Sequence, residues 1–366
     1  MLYKKIAKPV LFRMDPEKAH HLTIDGLHTV GKLPGGKALL NGMYGVPNYS
    51  ELETTLWGIR FRNPVGLAAG LDKNAKAVPG FSSIGLGFME VGTVTPKPQP
   101  GNELPRLFRL PEDGALINRM GFNNVGIETM AEHLREAGAH TIPVAVNIGK
   151  NKVTPNEQAE EDYRACIRGL YAYGDFFVVN ISSPNTPDLR NLQHGDDLSR
   201  LLAAVKEEMK LQQQKHGGAE KPILVKIAPD LESEEVAYMV QTIVNSGVSG
   251  IIASNTTISR AGLTHKHKGE TGGLSGMPLT ERSTKLVHDI YAATQGKLPI
   301  IGSGGIFTAE DAYAKICAGA SLVEVYTALI YEGPGLIRSL NEGLRALLRR
   351  DGFKHIADAV GSAHRR

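Results

Sequence analysis

Eight short apolar segments recur along the chain from residue 64 onward, and amphipathic stretches of helical length separate them. The segments are PVGLAAG from Pro64, FMEVGTV from Phe88, PVAVNIG from Pro143, FFVVNIS from Phe176, PILVKIA from Pro222, GIIASNT from Gly250, PIIGSGG from Pro299 and LVEVYTA from Leu322. Runs of this length and composition are typical of strands that are buried on both faces. Helices are predicted between them, for example over residues 157–173, 198–214, 233–246 and 309–319.

Strands that alternate with helices imply βαβ units and a parallel sheet. Eight such units without an obvious reversal predict an α/β fold, a closed (β/α)₈ TIM barrel within residues 46–366. An open, doubly wound sheet is the alternative.

The first 45 residues have a different pattern. LYKKIAKPVLFRM mixes apolar residues with lysines and an arginine, and Asp15 followed by Pro16 is a typical helix start. Two short amphipathic helices with a basic polar side are predicted, ending at Gly35 and Gly36. Such a pair fits either an element that docks on a membrane surface or a helical pair packed on its own domain.

The composition is that of a soluble globular protein, with 42% hydrophobic and 22% charged residues among 366. A net charge of +3 is too small to indicate nucleic acid as a partner. Cys166 and Cys317 form no CxxC pair and are expected to be core residues in a reducing compartment. No stretch reaches the ~18 consecutive apolar residues of a membrane span, and no signal peptide is recognised.

Polar residues concentrate at the carboxyl ends of the eight segments, which meet on one rim of a barrel. They include Asp72, Lys73, Asn74, Thr93, Thr95, Asn147, Lys150, Asn180, Ser183, Asn185, Lys226, Ser254, Asn255, Thr256, Ser303, Tyr326 and Thr327. Amides abound and the charge is mostly positive, so a ligand with many carbonyl and N–H groups and some negative charge is predicted. Three long segments, 95–118, 184–197 and 258–279, follow strands and should lie on the same face.

The seventh and eighth strand ends predict a phosphate site. Gly304 and Gly305 allow backbone N–H groups to approach an anion, and Thr308 and Asp311 have capping-box spacing at the start of the next helix. No GxGxxG joins a strand to a helix, which disfavours a Rossmann site. No metal site is predicted, because His265 and His267 fit an exposed basic loop better than a ligand set.

Taken together, these motifs resemble dihydroorotate dehydrogenase. The matching segments are GLAAGLDKN (66–74), EVGTVTPKPQPGN (90–102), PRLFRLPEDGALINRMGFNN (105–124), VNIGKNK (146–152), VNISSPNT (179–186), LVKIAPD (224–230), ASNTT (253–257), TGGLSG (271–276), IIGSGGI (300–306) and VYTALIYEGP (325–334). The resemblance covers essentially the whole chain. It implies a barrel that holds FMN and oxidises dihydroorotate to orotate in pyrimidine synthesis.

Two features resemble the membrane-associated, quinone-reducing class of that family. Its catalytic base is serine, here Ser183, where the cytosolic class has cysteine. Its N-terminal extension corresponds to residues 1–45, through FRMDPEKAHHL, and forms the mouth of a tunnel to the flavin. His20 and Arg109 match positions at the quinone end of that tunnel, although Arg109 could be an ordinary surface arginine.

The resemblance also assigns substrate and cofactor residues. Lys73 would meet the orotate carboxylate, and asparagine amides suit the alternating C=O and N–H groups of the ring. The substrate set is Lys73, Asn118, Arg119, Met120, Gly121, Phe122, Asn180, Asn185, Asn255 and Thr256. The FMN set is Ala68, Ala69, Gly70, Thr93, Asn147, Asn180, Lys226, Ser254, Gly276, Gly305, Tyr326 and Thr327. Two residues depart from the family pattern: Met277 stands where arginine is usual, and Asp188 where glycine is usual.

The implied partners are dihydroorotate and orotate, a membrane quinone, and the cytoplasmic face of a bacterial membrane, bound peripherally by a monomer. Three alternatives stay open. They are a fumarate- or NAD-linked dihydroorotate dehydrogenase, a Schiff-base lyase or aldolase-like barrel that uses Lys226 or Lys73, and a non-enzymatic membrane-binding module.

Overall fold

The computed structural model describes residues 3–139 and 141–365. Eight parallel strands form a closed barrel, in which each strand lies beside its neighbours in the chain and the eighth lies beside the first. The strands are β1 (Val65–Leu67), β2 (Phe88–Val94), β3 (Val144–Ile148), β4 (Phe176–Asn180), β5 (Ile223–Ile227), β6 (Gly250–Ala253), β7 (Ile300–Ser303) and β8 (Leu322–Val325). Each falls within its predicted segment. The predicted (β/α)₈ barrel is confirmed, and the open sheet is wrong.

Helices surround the barrel and precede it. They are α1 (Lys8–Arg13), α2 (Pro16–Lys32), α3 (Gly36–Tyr44), α4 (Val78–Ser82), α5 (Gly126–Ala137), α6 (Ala159–Leu170), α7 (Gly195–His216), α8 (Ser233–Ser246), α9 (Thr280–Thr294), α10 (Ala309–Ala318), α11 (Thr327–Glu332), α12 (Gly335–Arg350) and α13 (Ile356–Ala359). The four helices that the sequence predicts by range correspond to α6, α7, α8 and α10. None of the described helices is long and apolar enough to cross a membrane.

An aromatic plug fills the amino end of the barrel. A two-stranded hairpin, Thr54–Leu56 and Ile59–Phe61, places Phe61 within 5.6 Å of Phe88 and 6.3 Å of Phe176, measured between ring centroids. Trp57 packs beside them and donates from Nε1 to the carbonyl of Ser249 at 2.8 Å. Because apolar side chains seal this end, the open, polar end of the barrel is the opposite one.

The N-terminal segment contains one helix more than the predicted pair. Asp15 caps α2, accepting from the amides of Glu17 and Lys18, as its position before Pro16 predicts. The third helix, α3, begins at Gly36, where the sequence predicts the segment to end. Helix α2 crosses α4 so closely that a Cβ on Gly31 would lie 2.9 Å from the amide nitrogen of Gly80.

Two of the three long segments that follow strands contain strands of their own. Leu107–Leu110, Ala115–Asn118 and Gly273–Gly276 form a three-stranded antiparallel sheet, here called the cover sheet. Its apolar face is a separate small core that includes Phe108, Leu110 and Ile117. His265 and His267 lie beside it, with the ring of His267 5.5 Å from that of Phe108.

The aromatic plug generates a stability prediction. Phe61 is 0% exposed, so Phe61→Ala should leave a cavity among three aromatic rings and lower the free energy of unfolding by about 3–5 kcal/mol. Urea unfolding followed by far-UV circular dichroism measures the change. Leu104→Ala is the control, because Leu104 is 72% exposed and should change stability by less than about 0.5 kcal/mol. Equal losses in both variants would contradict the plug.

Candidate active site

A cavity opens at the carboxyl ends of the barrel strands, beneath the cover sheet. It collects side chains that are far apart in the sequence. The predicted residues that line it are His20, Ala68, Ala69, Gly70, Lys73, Thr93, Asn118, Met120, Gly121, Phe122, Asn180, Ser183, Asn185, Lys226, Ser254, Asn255, Thr256, Gly276, Gly305, Tyr326 and Thr327. We call this the polar cavity.

Four residues predicted only as part of the polar rim, Asp72, Asn74, Thr95 and Lys150, do not line it. Three of the residues assigned to substrate, cofactor or quinone also lie outside its lining. Asn147 stands behind the wall, where it donates to Glu90 at 2.6 Å and accepts from Thr93 at 2.5 Å. Arg119 turns toward the cover sheet and pairs with Glu270 at 2.8 Å. Arg109 lines a second cavity, described below.

Asparagine amides hold one another in place at the strand ends. Asn180 donates to Thr93 at 2.9 Å, Asn255 donates to Ser182 at 2.9 Å, and Asn185 donates to the side-chain oxygen of Asn118 at 3.2 Å. The Nδ2 group of Asn118 and the Oδ1 atom of Asn185 have no partner within the described residues. A donor and an acceptor therefore remain for a ligand with amide groups.

Ser183 follows β4 and is 6% exposed. Its Oγ accepts from the amide of Asn185 at 3.2 Å, and its own hydroxyl donates to no described residue. No carboxylate or imidazole is bonded to it, so the structure provides no adjacent base of the serine-protease kind.

The loop that carries Ser183 is held by Arg190, which the sequence analysis missed. Its guanidinium donates to the carbonyls of Ser182 and Thr256 at 3.0 Å and pairs with Asp230 at 3.0 Å. Asp188 in the same loop adopts φ = +55°, a left-handed conformation that favours glycine and that aspartate tolerates. Glycine, which the resemblance implies for this position, would adopt this conformation without strain.

A buried charge cluster lies on the inner wall of the barrel. The ammonium of Lys226 contacts Glu90 at 2.5 Å and Glu324 at 3.5 Å, and all three side chains are almost fully buried. Burial and the neighbouring Glu90 carboxylate raise the pKa of Glu324 well above its usual value. Burial alone would lower the pKa of Lys226, but the two carboxyl groups outweigh it and raise that pKa. The cluster is therefore a Lys226–Glu90 ion pair beside a Glu324 carboxyl whose raised pKa favours its neutral form.

Glu90 and Glu324 were also missed by the sequence analysis. The available signal was a glutamate in the middle of each of two apolar strands, FMEVGTV and LVEVYTA. A charged residue at the centre of a buried strand needs a partner, and the barrel supplies Lys226 from β5.

Lys73 and His20 both line the polar cavity where α2 meets it, and each has a lowered pKa. Burial lowers the pKa of Lys73 to about 8, and its ammonium has no hydrogen-bond or ion-pair partner among the described residues. Burial, assisted by the nearby charge of Lys73, lowers the pKa of His20 to about 3. His20 is therefore neutral at neutral pH, and Lys73 is a cation that an anionic ligand would stabilise.

The glycine loop after β7 offers unpaired amides to the polar cavity. The N–H groups of Gly304, Gly305 and Thr327 donate to no group in the described part of the chain. The predicted capping box of α10 is confirmed, since Thr308 and Asp311 satisfy each other's backbone. The capping box uses backbone N–H groups at the start of α10. The N–H groups that remain unpaired are therefore those of the glycine loop and of the first residue of α11, a helix that has no side-chain cap. Free amides in this arrangement fit an anionic group such as a phosphate.

A second, apolar cavity lies between the N-terminal helices and the barrel. Its lining is Tyr3, Leu11, Phe12, Pro16, Ala19, His20, Thr23, Ile24, Leu27, Leu40, Tyr44, Leu71, Phe81, Ile84, Leu107, Arg109, Leu116, Tyr326, Leu329, Ile330 and Pro334. His20, Leu107 and Tyr326 line both cavities, so the two meet there. Arg109 donates to the carbonyls of Phe12 and Met14 at 3.1 Å and lies 4.8 Å from the ring of Phe12.

Comparisons with known proteins agree on one family. The family model described as Dihydroorotate dehydrogenase matches residues 51–348. A protein of Deinococcus deserti named Dihydroorotate dehydrogenase (quinone) is 56% identical over 361 residues, covering 99% of both chains. The relative of that name in Deinococcus radiodurans is 55% identical, covering 97% of this chain and 98% of its own. A crystal structure of DHODH from Eimeria tenella in complex with ferulenol has a TM-score of 0.89 and 41% identity, with 96% of each chain covered.

The charge cluster predicts that two similar substitutions differ in their effect. Glu90→Gln removes the carboxylate that accepts from Lys226, Asn147 and the amide of Ala69, and should cost about 1–3 kcal/mol of unfolding free energy. Glu324→Gln replaces a carboxyl whose raised pKa favours the neutral form by a neutral group of the same size, and it should cost much less. Urea unfolding of the two variants measures the difference.

The pH dependence separates the two variants further. A carboxyl whose folded-state pKa is raised takes up a proton on folding, so it lowers stability as the pH rises from its unfolded pKa, about 4.3, toward its folded pKa. Glutamine lacks this dependence, so the stability of Glu324→Gln relative to the unsubstituted protein should rise as the pH increases above about 4.3. A flat or falling difference would contradict a raised pKa of Glu324.

Proposed function

The chain belongs to the dihydroorotate dehydrogenase family, and we propose that it oxidises dihydroorotate to orotate in pyrimidine biosynthesis, with FMN as its cofactor and a quinone as electron acceptor. One observation carries this proposal: a polar cavity at the strand ends meets an apolar cavity under the N-terminal helices at His20, Leu107 and Tyr326. A polar substrate and an apolar acceptor can therefore reach one bound cofactor from two sides.

The residues of the polar cavity fit FMN. The free amides of Gly304, Gly305 and Thr327 would hold its phosphate, and Lys226 would place a positive charge beside its ring. The other contacts to FMN would come from Ala68, Ala69, Gly70, Thr93, Ser254, Gly276 and Tyr326. Asn147 would orient Thr93 and Glu90 through its hydrogen bonds to both. When bound, FMN accepts a hydride and holds two electrons for a second acceptor.

Dihydroorotate carries a carboxylate and a ring of alternating carbonyl and N–H groups. The unpaired ammonium of Lys73 would bind the carboxylate, since no described residue neutralises it. Asn118 and Asn185 would meet the ring through the Nδ2 and Oδ1 atoms that their mutual hydrogen bond leaves free. Asn255 would stand beside the ring, held by its bonds to Ser182 and to the amide of Thr256. The ring would be enclosed by Asn180, Thr256 and the backbone of Met120, Gly121 and Phe122. Arg119, which pairs with Glu270, would stabilise the segment that contains Met120, Gly121 and Phe122.

Ser183 is our candidate for the base that removes a proton from C5 of the substrate. A free serine is a weak base, so the proton needs an outlet within the site. Thr186, three residues along the same loop, is buried and its hydroxyl has no hydrogen-bond partner. The proton would pass from Ser183 to water, directly or through a hydroxyl of this loop.

The quinone would enter through the apolar cavity. Arg109 holds the turn between α1 and α2 and contributes the charge in that cavity, while His20 stands at its inner end as a neutral hydrogen-bonding group. Both are suited to the carbonyl oxygens of a quinone in otherwise apolar surroundings.

The outer surface of α1, α2 and α3 supports peripheral attachment to a membrane. Exposed apolar side chains there are Ile6, Val10, Leu22, Leu33, Leu39 and Met43, and Lys4, Lys5, Lys8 and Arg13 are basic neighbours. Apolar residues flanked by basic ones are typical of elements that lie in the membrane interface. We infer attachment at the cytoplasmic face of a bacterial membrane.

The structure weakens the Schiff-base alternative for Lys226. A Schiff base needs an unprotonated amine, and the carboxyl groups of Glu90 and Glu324 raise the pKa of Lys226. A non-enzymatic membrane-binding module would not explain the polar cavity. The names of the relatives favour quinone over fumarate or NAD as acceptor.

Ser183→Ala tests the proposed base. The variant should bind FMN normally, but anaerobic flavin reduction by dihydroorotate should slow by roughly 10²-fold or more, because proton removal loses its acceptor. Stopped-flow absorbance of the flavin measures the rate. Ser199→Ala on α7 is the control and should reduce at the normal rate. Near-normal reduction in Ser183→Ala would contradict the assignment.

Ala19→Phe tests the apolar cavity. Ala19 lines that cavity and does not line the polar one, so a phenyl group there should obstruct the quinone. Turnover with a long-chain quinone should fall by roughly tenfold or more, while flavin reduction by dihydroorotate should change by less than about twofold. The control, Leu22→Phe, adds the same group on the exposed side of α2. Equal loss of both half-reactions in Ala19→Phe would mean a structural effect.

A further inference from the structure

Lys315 is a fully buried lysine that no part of the mechanism above uses. It lies on α10 and is 0% exposed. Its ammonium donates to the hydroxyl of Ser283 at 2.6 Å, to the hydroxyl of Thr284 at 2.7 Å and to the carbonyl of Thr280 at 3.2 Å. All three acceptors are neutral, and no described carboxylate forms an ion pair with it. A buried cation without a counter-charge is unfavourable and calls for an explanation.

The nearest acid on its own helix is already engaged. Asp311 raises the pKa of Lys315 slightly from a distance, but its carboxylate accepts from the amides of Phe307 and Thr308 in the helix cap. Burial dominates and lowers the pKa of Lys315 to about 7. The charge is therefore only partly stabilised in the protein by itself.

One hydroxyl joins Lys315 to the glycine loop after β7. Ser283 accepts from Lys315. Its own hydroxyl lies 3.0 Å from the carbonyl oxygen of Gly304 and 2.7 Å from that of Leu279, so its one proton is shared between the glycine loop and the preceding turn of its own helix. Thr280 donates to the carbonyl of Gly305 at 2.7 Å. Both peptide carbonyls of the loop thus point toward α9.

This anchoring sets the direction of the loop amides. In a trans peptide the carbonyl of one residue and the N–H of the next point in opposite directions. With the carbonyl of Gly304 directed at α9, the N–H of Gly305 points away from α9, and Gly305 lines the polar cavity. That N–H is one of the donors without a partner in the described chain.

We propose that Lys315 is the buried counter-charge for the phosphate group of FMN, acting through Ser283 on the Gly304–Gly305 peptide. The inference rests on the proposed binding of FMN. A phosphate in the loop supplies the negative charge that the surroundings of Lys315 lack, and the ammonium polarises the hydroxyl that orients the loop. Lys315 is thus a positioning residue for the cofactor, one layer behind the groups that touch it.

The test compares FMN with riboflavin, which has the same ring and no phosphate. Lys315→Met removes the charge and keeps most of the length of the side chain. The dissociation constant of FMN from the flavin-free protein should rise by roughly tenfold, while that of riboflavin changes by less than about twofold. Quenching of flavin fluorescence on binding measures both constants without reference to catalysis.

Equal weakening of FMN and riboflavin binding would show that Lys315 only holds α9 to α10. Unchanged dissociation constants for both flavins would show that its charge does not affect the phosphate. Either result overturns the proposal. Ser283→Ala is the second variant, since it removes the bridging hydroxyl and leaves Lys315 bonded to Thr284 and Thr280. It should also weaken FMN selectively, and it decides the matter if Lys315→Met fails to fold. An unsubstituted protein that binds neither flavin contradicts the proposed function instead.

Discussion

The ion pair between Lys226 and Glu90 is the contact on which the interior of the barrel depends. It joins β5 to β2 across the barrel, and Glu90 extends it to Asn147 on β3 and to the amide of Ala69 after β1. Thr93 and Asn180 continue the network to β4. A barrel of this size would ordinarily fill its centre with apolar side chains. Here the carboxyl half is polar and fixed, so a charged ring system can bind without first reorganising its surroundings.

The apolar plug at the amino end of the barrel offsets the stability cost of burying this polar network. Phe61, Phe88 and Phe176 close that end and exclude water, while the polar network occupies the other. Charges that are buried but fully hydrogen-bonded cost far less than isolated ones. The same logic identifies Lys73 and Lys315 as exceptions: each is a cation whose counter-charge the protein does not provide, and both lie beside the polar cavity or one hydroxyl behind it.

Much of the fold and the rim of the site followed from local pattern. Each apolar segment became one strand, because a strand buried on both faces needs a continuous apolar run. The ring of polar strand ends became a cavity, because parallel strands share one rim. The cover sheet was missed, since LFRL and GGLSG carry too few residues to distinguish a strand from a loop. Glu90 and Glu324 were missed because each acts through a partner on another strand, Lys226. Similarly, the direction of the Arg119 side chain depends on its ion pair with Glu270, which is 151 residues away in the sequence. Residue spacing does not encode contacts of that range.

The junction of the two cavities also bears on how such a protein can diverge. Among the described residues that line the polar cavity, only His20 comes from the first 45 positions, whereas that segment supplies about half of the described apolar lining. Under the function proposed above, the groups that would bind the substrate and those that would admit the electron acceptor therefore come from largely separate stretches of the chain. Replacement of the first segment would then change the lipid-soluble carrier or the membrane contact and leave the catalytic rim as it is.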